Sequence, residues 1–344
     1  MKFDFVIGNP PYQDSTKGEN DTFAPPVYNK FLDSAYEIAD KVEMIHPARF
    51  LFNAGSTPKA WNKKMLYDEN LKIKFYEQDS SKVFANTDIK GGVAITYHDR
   101  QNKFEPIELF THYPKLNSIM KKVKKYKGFK TISDIVITRT AYRLTDKMHE
   151  DHPEAESQLS KGHKYDMSTN IFSRLPQIFY DEKPNDKLSY IKILGRENNS
   201  RIYKYIRRDY VNKVCNLEKY KVVLPKSNGS GAIGEVLSTP LIGTPLIGTT
   251  ESFISIGIFD SKIEAENAMK YIKGKFARAM LGVLKITQDN PPDRWYYVPL
   301  QDFTSASDID WSQSIANIDK QLYKKYNLSD EEINFIETKV KAMK

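Results

Sequence analysis

The run Phe3-Asp4-Phe5-Val6-Ile7-Gly8 leads directly into Asn9-Pro10-Pro11-Tyr12. An aromatic and β-branched run that stops at Gly-Asn-Pro-Pro reads as a buried strand closing in a rigid turn. Neither proline can donate a backbone hydrogen bond, and both fix φ. The turn therefore holds the Asn9 side chain and the neighbouring carbonyls in a set direction. An amide oxygen and a proline carbonyl are both acceptors, so together they can take two N–H bonds from one amine. Drawing those hydrogens aside polarises the nitrogen toward sp3 and makes it a better nucleophile, with no covalent link to the protein. The turn stands at the C-terminal end of a strand, where open α/β sheets bind ligands. The plain alternative is a proline-rich turn after an ordinary strand.

Such a turn needs a scaffold, and the downstream residues supply one. A loop rich in Asp, Ser, Gly, Asn and Thr runs from Asp14 to Thr22, and such loops often carry function. The spacing of Val27, Phe31, Leu32, Ala35 and Ile38 predicts a helix over about Pro26 to Ala39. A strand is expected at Val42 to His46, a second helix at Ser56 to Tyr67 and a strand at Ile73 to Glu77. Lys82-Val83-Phe84 then leads into the segment Asp88 to Tyr97, which reads as a hairpin-like strand pair.

Asn9-Pro10-Pro11-Tyr12 resembles the catalytic motif of the amino-group DNA methyltransferases, (Asn/Asp/Ser)-Pro-Pro-(Tyr/Phe/Trp). The β-α-β-α-β-β order is similar to the second half of a Rossmann-like methyltransferase domain. The segment Val83-Phe84 to Val93 is similar to that family's late motif. From about Lys130 onward the chain resembles the family's target-recognition region, best at Gly248 to Phe253, Ala265 to Gln288 and Trp295 to Phe303. The match is closest to adenine-N6 methylases of type II restriction–modification systems. The fold class implied is α/β: a partial Rossmann-like methyltransferase domain, then a mixed α/β target-recognition domain. The resemblance makes Asn9, Pro10, Pro11 and Tyr12 catalytic. Adenine N6 is a poor nucleophile because its lone pair is conjugated, and it is reached only by flipping the base from the duplex. Tyr12 is placed to stack on that base. The same role carries over to Phe84, whose alternative is a core aromatic beneath the hairpin.

The family binds S-adenosylmethionine largely with strands that precede the catalytic one. Here only Asn9 and Pro11 are candidates for cofactor contact. The resemblance therefore implies an incomplete site and a companion polypeptide carrying the earlier half. Without it, Phe3 to Ile7 is expected to be an uncovered apolar edge. Gly229-Ser230-Gly231-Ala232-Ile233-Gly234 fits Gly-x-Gly-x-x-Gly, but a cofactor loop needs a helix behind it. Behind it instead stands a tandem Pro-Leu-Ile-Gly-Thr, from Pro240 to Thr249, with turn chemistry. The hairpin-loop reading is preferred.

At 344 residues the chain can build two cores, and its formal net charge of +8 suits a polyanion such as double-stranded DNA. Tyr113 to Lys130 carries Lys121, Lys122, Lys124 and Lys125 among seven lysines and no acid. A second run interleaves Arg201, Lys204, Arg207 and Arg208 with tyrosines, as nucleic-acid surfaces do. Lysines would sit on phosphates and arginines could read base edges; a solvated face is the alternative for each run. No membrane span or leader is read, so the expected place is the cytoplasm. Cys215 is the only cysteine; it excludes an intrachain disulfide and is expected to be a buried small residue.

Other constellations are set aside. His149 and His152 have a metal-like spacing without a third ligand, and no metal site is expected. His46 is read as structural. Asn290-Pro291-Pro292-Asp293 repeats the letters without the aromatic or the strand. The expected organisation is 1–110 catalytic half, 111–130 basic linker helix, 131–312 target recognition and 313–344 C-terminal helices. Among these last, Ile315 to Tyr326 reads as one helix, and Ser329 to Glu332 is a capping box opening another. Two functions compete: DNA adenine-N6 methylation with the companion half, or a non-catalytic DNA-binding specificity module or degenerate methylase remnant.

Overall fold

The computed structural model describes residues 3–14, 24–52, 56–89, 91–229, 231–285 and 288–343. Beyond Asp14, the polar loop expected up to Thr22 lies outside the described residues. The chain is mixed α/β and divides into two compact units, Met1–Asn117 and Ser118–Lys344. No helix among the described residues is long and apolar enough to cross a membrane.

The first unit contains β1 (Phe3–Gly8), α1 (Tyr28–Ile38), β2 (Ala39–Pro47), α2 (Lys59–Leu66), β3 (Leu71–Glu77) and β4 (Val93–Asp99). They form one sheet of order β1-β2-β4-β3. β1 runs parallel to β2 with Val6 opposite Val42, and α1 makes the connection. β4 is antiparallel to both β2 and β3. The segment Asp88 to Tyr97 is therefore not a hairpin in itself. Gly91 and Gly92 turn at positive φ into a single strand, whose partners are the earlier β2 and β3.

Period-two alternation decides what the sheet buries. Val42, Met44 and His46 of β2 are buried, and Val6 of β1 packs against the same core. α1 covers that core, but with another face than the aliphatic spacing predicts. Tyr28, Leu32, Ala35 and Tyr36 are buried, whereas Phe31 and Ile38 are exposed. The reason is stacking: Tyr28 lies on His46 and Tyr36 on His98, and these ring pairs hold the inward positions. On β1, Phe3, Phe5 and Ile7 remain 45, 46 and 74 % exposed. β1 is also the edge of its sheet among the described residues.

α3 (Pro114–Lys125) begins the passage into the second unit. Leu116, Ile119, Met120 and Val123 are buried at helical spacing, so the stretch expected as a basic linker helix is a helix with one face packed. The second unit continues with β5 (Val136–Ile137), α4 (Asp146–Asp151), α5 (Ala155–Gln158), α6 (Ile171–Arg174), β6 (Tyr190–Glu197), β7 (Ser200–Arg207) and β8 (Tyr220–Pro225). β9 (Leu241–Gly243), β10 (Ile247–Thr249), β11 (Phe253–Phe259), α7 (Lys262–Lys273), α8 (Lys275–Leu281), α9 (Ile315–Lys325) and α10 (Asp330–Lys339) complete it. Two sheets result, β10-β6-β7 and β5-β11-β8-β9. The tandem Pro-Leu-Ile-Gly-Thr thus sends its first copy into one sheet, beside β8, and its second into the other, beside β6. Strands come after Gly229 to Gly234 where a cofactor loop would need a helix; Ser230 lies outside the described residues. The capping box is present: the Glu332 N–H donates to Ser329 Oγ, and Glu332 Oε2 accepts from the Ser329 N–H at 2.7 Å. The C-terminal helices belong to the second unit.

Candidate functional site

β1 ends at Gly8, and Asn9-Pro10-Pro11 follow it outside any helix, strand or turn, with Pro10 buried and Asn9 and Pro11 exposed. Tyr12 is half-buried and packs on the first unit's core. Its hydroxyl is buried, has the Asn9 side chain as polar neighbour, and finds no partner in hydrogen-bonding geometry. Burial raises its pKa, against a smaller lowering effect from Asn9.

Beside Tyr12 lies a cavity of about 310 Å³ at the carboxyl ends of β1 and β2. Its wall includes Tyr12, Gln13, Tyr28, Pro47, Arg49, Thr57 and Asp88. Asn9, Pro10 and Pro11 do not line it. Each wall is held from behind. His46, fully buried, donates from Nδ1 to the Pro47 carbonyl and accepts at Nε2 from Thr96. Burial depresses its pKa to about 4, so the ring is neutral. Tyr28, the first residue of α1, has its pKa pushed up to about 12 by burial, with Thr57 and Arg49 opposing. The Asp88 loop is tied down by Ser80, whose Oγ accepts from the Ile89 N–H and donates to the Thr87 carbonyl. Gly92 seals its end. A Cβ there would stand 2.2 Å from the Glu77 carbonyl oxygen, and its own carbonyl accepts from the Ala48 N–H at 3.0 Å.

Phe84 is half-exposed in the turn after the 3-10 segment Ser80–Lys82, outside the cavity wall and outside the apolar core. Tyr28, Arg49, Thr57 and Asp88 were not picked out in the sequence. Asp88 stood inside the segment that resembles the late motif; the others carry no local signal, because helix starts and loops bring them together only in space.

The basic residues of the second unit are largely drawn inward. Arg207 ion-pairs with Asp151 and Asp209 at 2.9 and 2.6 Å and lies over the Tyr210 ring. Lys204 meets Asp181 and Glu197. Arg208 donates to the Val211 carbonyl and Arg201 to that of Thr239. On α3, Lys122 pairs with Glu332 at 2.7 Å; Lys121, Lys124 and Lys125 also have interacting neighbours. Among the described residues no cluster of His, Cys, Asp or Glu is built to hold a metal. His149 Nε2 faces the Lys164 carbonyl and His152 faces Glu154. Asn290 is buried and donates to the Pro225 carbonyl, so the second Asn-Pro-Pro braces a loop. Cys215, expected buried, is exposed, because in its turn Asn216 and Leu217 take the inward positions.

Comparison with known proteins places the first unit. Residues 1–84 match the family described as Eco57I restriction-modification methylase. An uncharacterized adenine-specific methylase of Mycoplasma pneumoniae is 33 % identical over 107 residues, which is 30 % of this chain and 25 % of that protein. Among solved structures, the type IIG restriction endonuclease BpuSI is similar at a TM-score of 0.33 and 7 % identity, over 95 % of this chain and 50 % of its own. The type IIL restriction-modification enzyme MmeI, in complex with DNA, gives 0.26 and 9 %, over 97 % of this chain and 53 % of its own. The chain spans a quarter of the length of the curated relative. The stretch similar to the Eco57I restriction-modification methylase family, residues 1–84, includes Asn9–Tyr12 and Phe84.

Proposed function

We propose that the chain takes part in site-specific methylation of adenine N6 in double-stranded DNA within a restriction–modification system. The observation that carries this is the segment Asn9-Pro10-Pro11-Tyr12 at the carboxyl end of β1, with a cavity lined by Tyr12, Tyr28 and Pro47 beside it. In this reading the Asn9 side-chain oxygen and the Pro10 carbonyl accept the two N–H bonds of the amine and raise its nucleophilicity. Tyr12 and Phe84 offer ring faces to the flipped base. Lys121, Lys124 and Lys125 are proposed phosphate contacts, which position the protein and carry no sequence information.

S-adenosylmethionine is the methyl donor this chemistry implies. The described residues offer it only Asn9 and Pro11, and supply no cradle for its adenosyl part. We therefore read β1 as the place where a further segment adds to the sheet, in this polypeptide or another. The exposed Phe3, Phe5 and Ile7 on an unpaired edge support this. The same want of a cradle is what favours the second reading, a DNA-binding specificity module without catalysis.

The test is mass spectrometry of N6-methyladenine in DNA from a methylase-free host expressing the chain together with its upstream neighbour gene. Methylation that disappears with Asn9→Ala, while DNA binding stays, is the expected result. Equal methylation from the Asn9→Ala variant would remove the assignment.

A further inference from the structure

β6 and β7 form a hairpin that outruns its own sheet. The two strands pair from Tyr190 opposite Arg207 as far as Glu197 opposite Ser200, whereas β10 lies beside β6 only from Lys192 to Leu194. On the outer side, Tyr180 bridges to β7 at Tyr205. Among the described residues, Gly195 to Ile202 is therefore a two-stranded ribbon. It closes in a two-residue turn, Asn198-Asn199, with φ of 49° and 62°. Positive φ at both positions is the hairpin turn whose twist matches the strands, and asparagine tolerates it better than most residues. The tip thus has a fixed shape.

The tip carries a pairing that sheets avoid. Arg196 stands directly opposite Arg201, so both guanidinium groups leave the same face of the ribbon. Like charges in that register are destabilising. Arg201 is fastened: it donates to the Thr239 carbonyl at 2.7 Å and lies over the Phe253 ring. Burial lowers its pKa, and the charge of Arg196 lowers it further, with Tyr203 opposing. Arg196 is exposed and, among the described residues, meets no carboxylate and no hydrogen-bond acceptor. Glu197 alternates to the other face and pairs with Lys204 at 3.5 Å. Asn198, Asn199 and Ser200 are exposed as well. The tip therefore offers cations and hydrogen-bonding groups, with no apolar side chain among them.

We infer that the tip of the β6–β7 ribbon, Arg196 to Arg201, is a contact that enters a groove of double-stranded DNA, where the phosphates relieve the repulsion between Arg196 and Arg201. This rests on the reading of DNA as the partner. A major groove about 12 Å wide admits a two-stranded ribbon. Arg201, held by Thr239 and Phe253, positions the pair; Arg196 is the cation left for the polyanion. Without DNA the pair costs stability, and a local rule broken with no compensation inside the fold marks a functional place.

The experiment is a fluorescence-anisotropy titration of the whole chain with a labelled duplex of mixed sequence over a range of salt, beside urea unfolding without DNA. Arg196→Gln is expected to reduce the slope of log affinity against log salt by about 1. The same variant is expected to unfold at higher urea, because the repulsion is gone. Arg196→Glu, which can pair with Arg201, is expected to raise the urea midpoint further and to weaken DNA binding more. Arg196→Lys, which keeps the charge, retains the slope. A slope unchanged in both Arg196→Gln and Arg196→Glu overturns the contact and leaves DNA as the partner. A lower urea midpoint for Arg196→Gln overturns it too, since the fold would then need Arg196 for itself. Failure of the unaltered chain to bind the duplex removes the DNA reading and the ribbon contact with it.

Discussion

The imidazole of His46 is buried at the end of β2 and kept neutral, with its folded pKa near 4 against an ordinary 6.5. The unfolded chain binds a proton below pH 6.5 that the native ring refuses until about pH 4. Stability from this residue is therefore complete above pH 6.5 and is lost as the pH falls toward 4. Between pH 6.5 and 5 the loss is expected to be about 2 kcal/mol. Urea unfolding of the chain and of His46→Gln at several pH values reads it as a difference that closes with acid. Tyr12 offers a second residue-scale test. Its hydroxyl is buried without a partner, so Tyr12→Phe should leave stability unchanged or raise it by about 1 kcal/mol. A loss of more than that would mean the hydroxyl is bonded after all. At this scale the end of β1 before Asn9 was legible, because two prolines cannot continue a strand; the turn expected there is not seen, since residues 9–12 run on without one. Tyr28, Arg49 and Thr57 were not legible, since a cavity wall is assembled from residues far apart in the chain.

α8 shows how one element borrows its start from another. Gly274 precedes it and has no side chain, and the Asp319 carboxylate of α9 accepts from the N–H groups of Lys275 and Phe276 at 2.8 and 3.0 Å. Asp319→Ala leaves those donors unpaired and should cost about 1–3 kcal/mol, read as a lowered urea midpoint. The strand–turn–helix around Arg207 makes a comparable prediction. Its guanidinium is taken up by Asp151, Asp209 and Tyr210. Arg207→Ala should lower stability by about 1–2 kcal/mol, and leave the salt dependence of DNA binding as it was. A flatter salt slope would put Arg207 on a phosphate. Element order in the first unit was readable from periodicity, and the capping box gave the start of α10. The buried face of α1 was not readable. Apolar spacing pointed to Phe31 and Ile38, while ring stacking on His46 and His98 turned Tyr28 and Tyr36 inward. The strand pairing of Val93–Asp99 was hidden too, because its partner lies before the Asp88 loop.

Over the whole chain, a net charge of +8 favours association with a polyanion. If α3 lies on the backbone of DNA, neutralising three of its lysines, Lys121, Lys124 and Lys125, should reduce the slope of log affinity against log salt by up to about 3. A fluorescence-anisotropy titration over salt measures it, and an unchanged slope moves the contact surface elsewhere. The division into two units was expected from length and composition. The stretch 111–130 reads as a basic linker helix, and the chain divides inside it, after Asn117; what was not legible is that Ile119, Met120 and Val123 are buried beneath its lysines. The second unit also closes on itself across long stretches of chain: Ile137 pairs with Ser255, and Thr131 bridges to Pro299. A ribosome adding about 5–20 residues per second therefore releases the first of these strands many seconds before its partner exists. The first unit, whose strands all lie within its own 117 residues, can be finished by then. Until the partners emerge, the early strands of the second unit stand as unpaired edges on the nascent chain, the condition in which a chain is most open to aggregation.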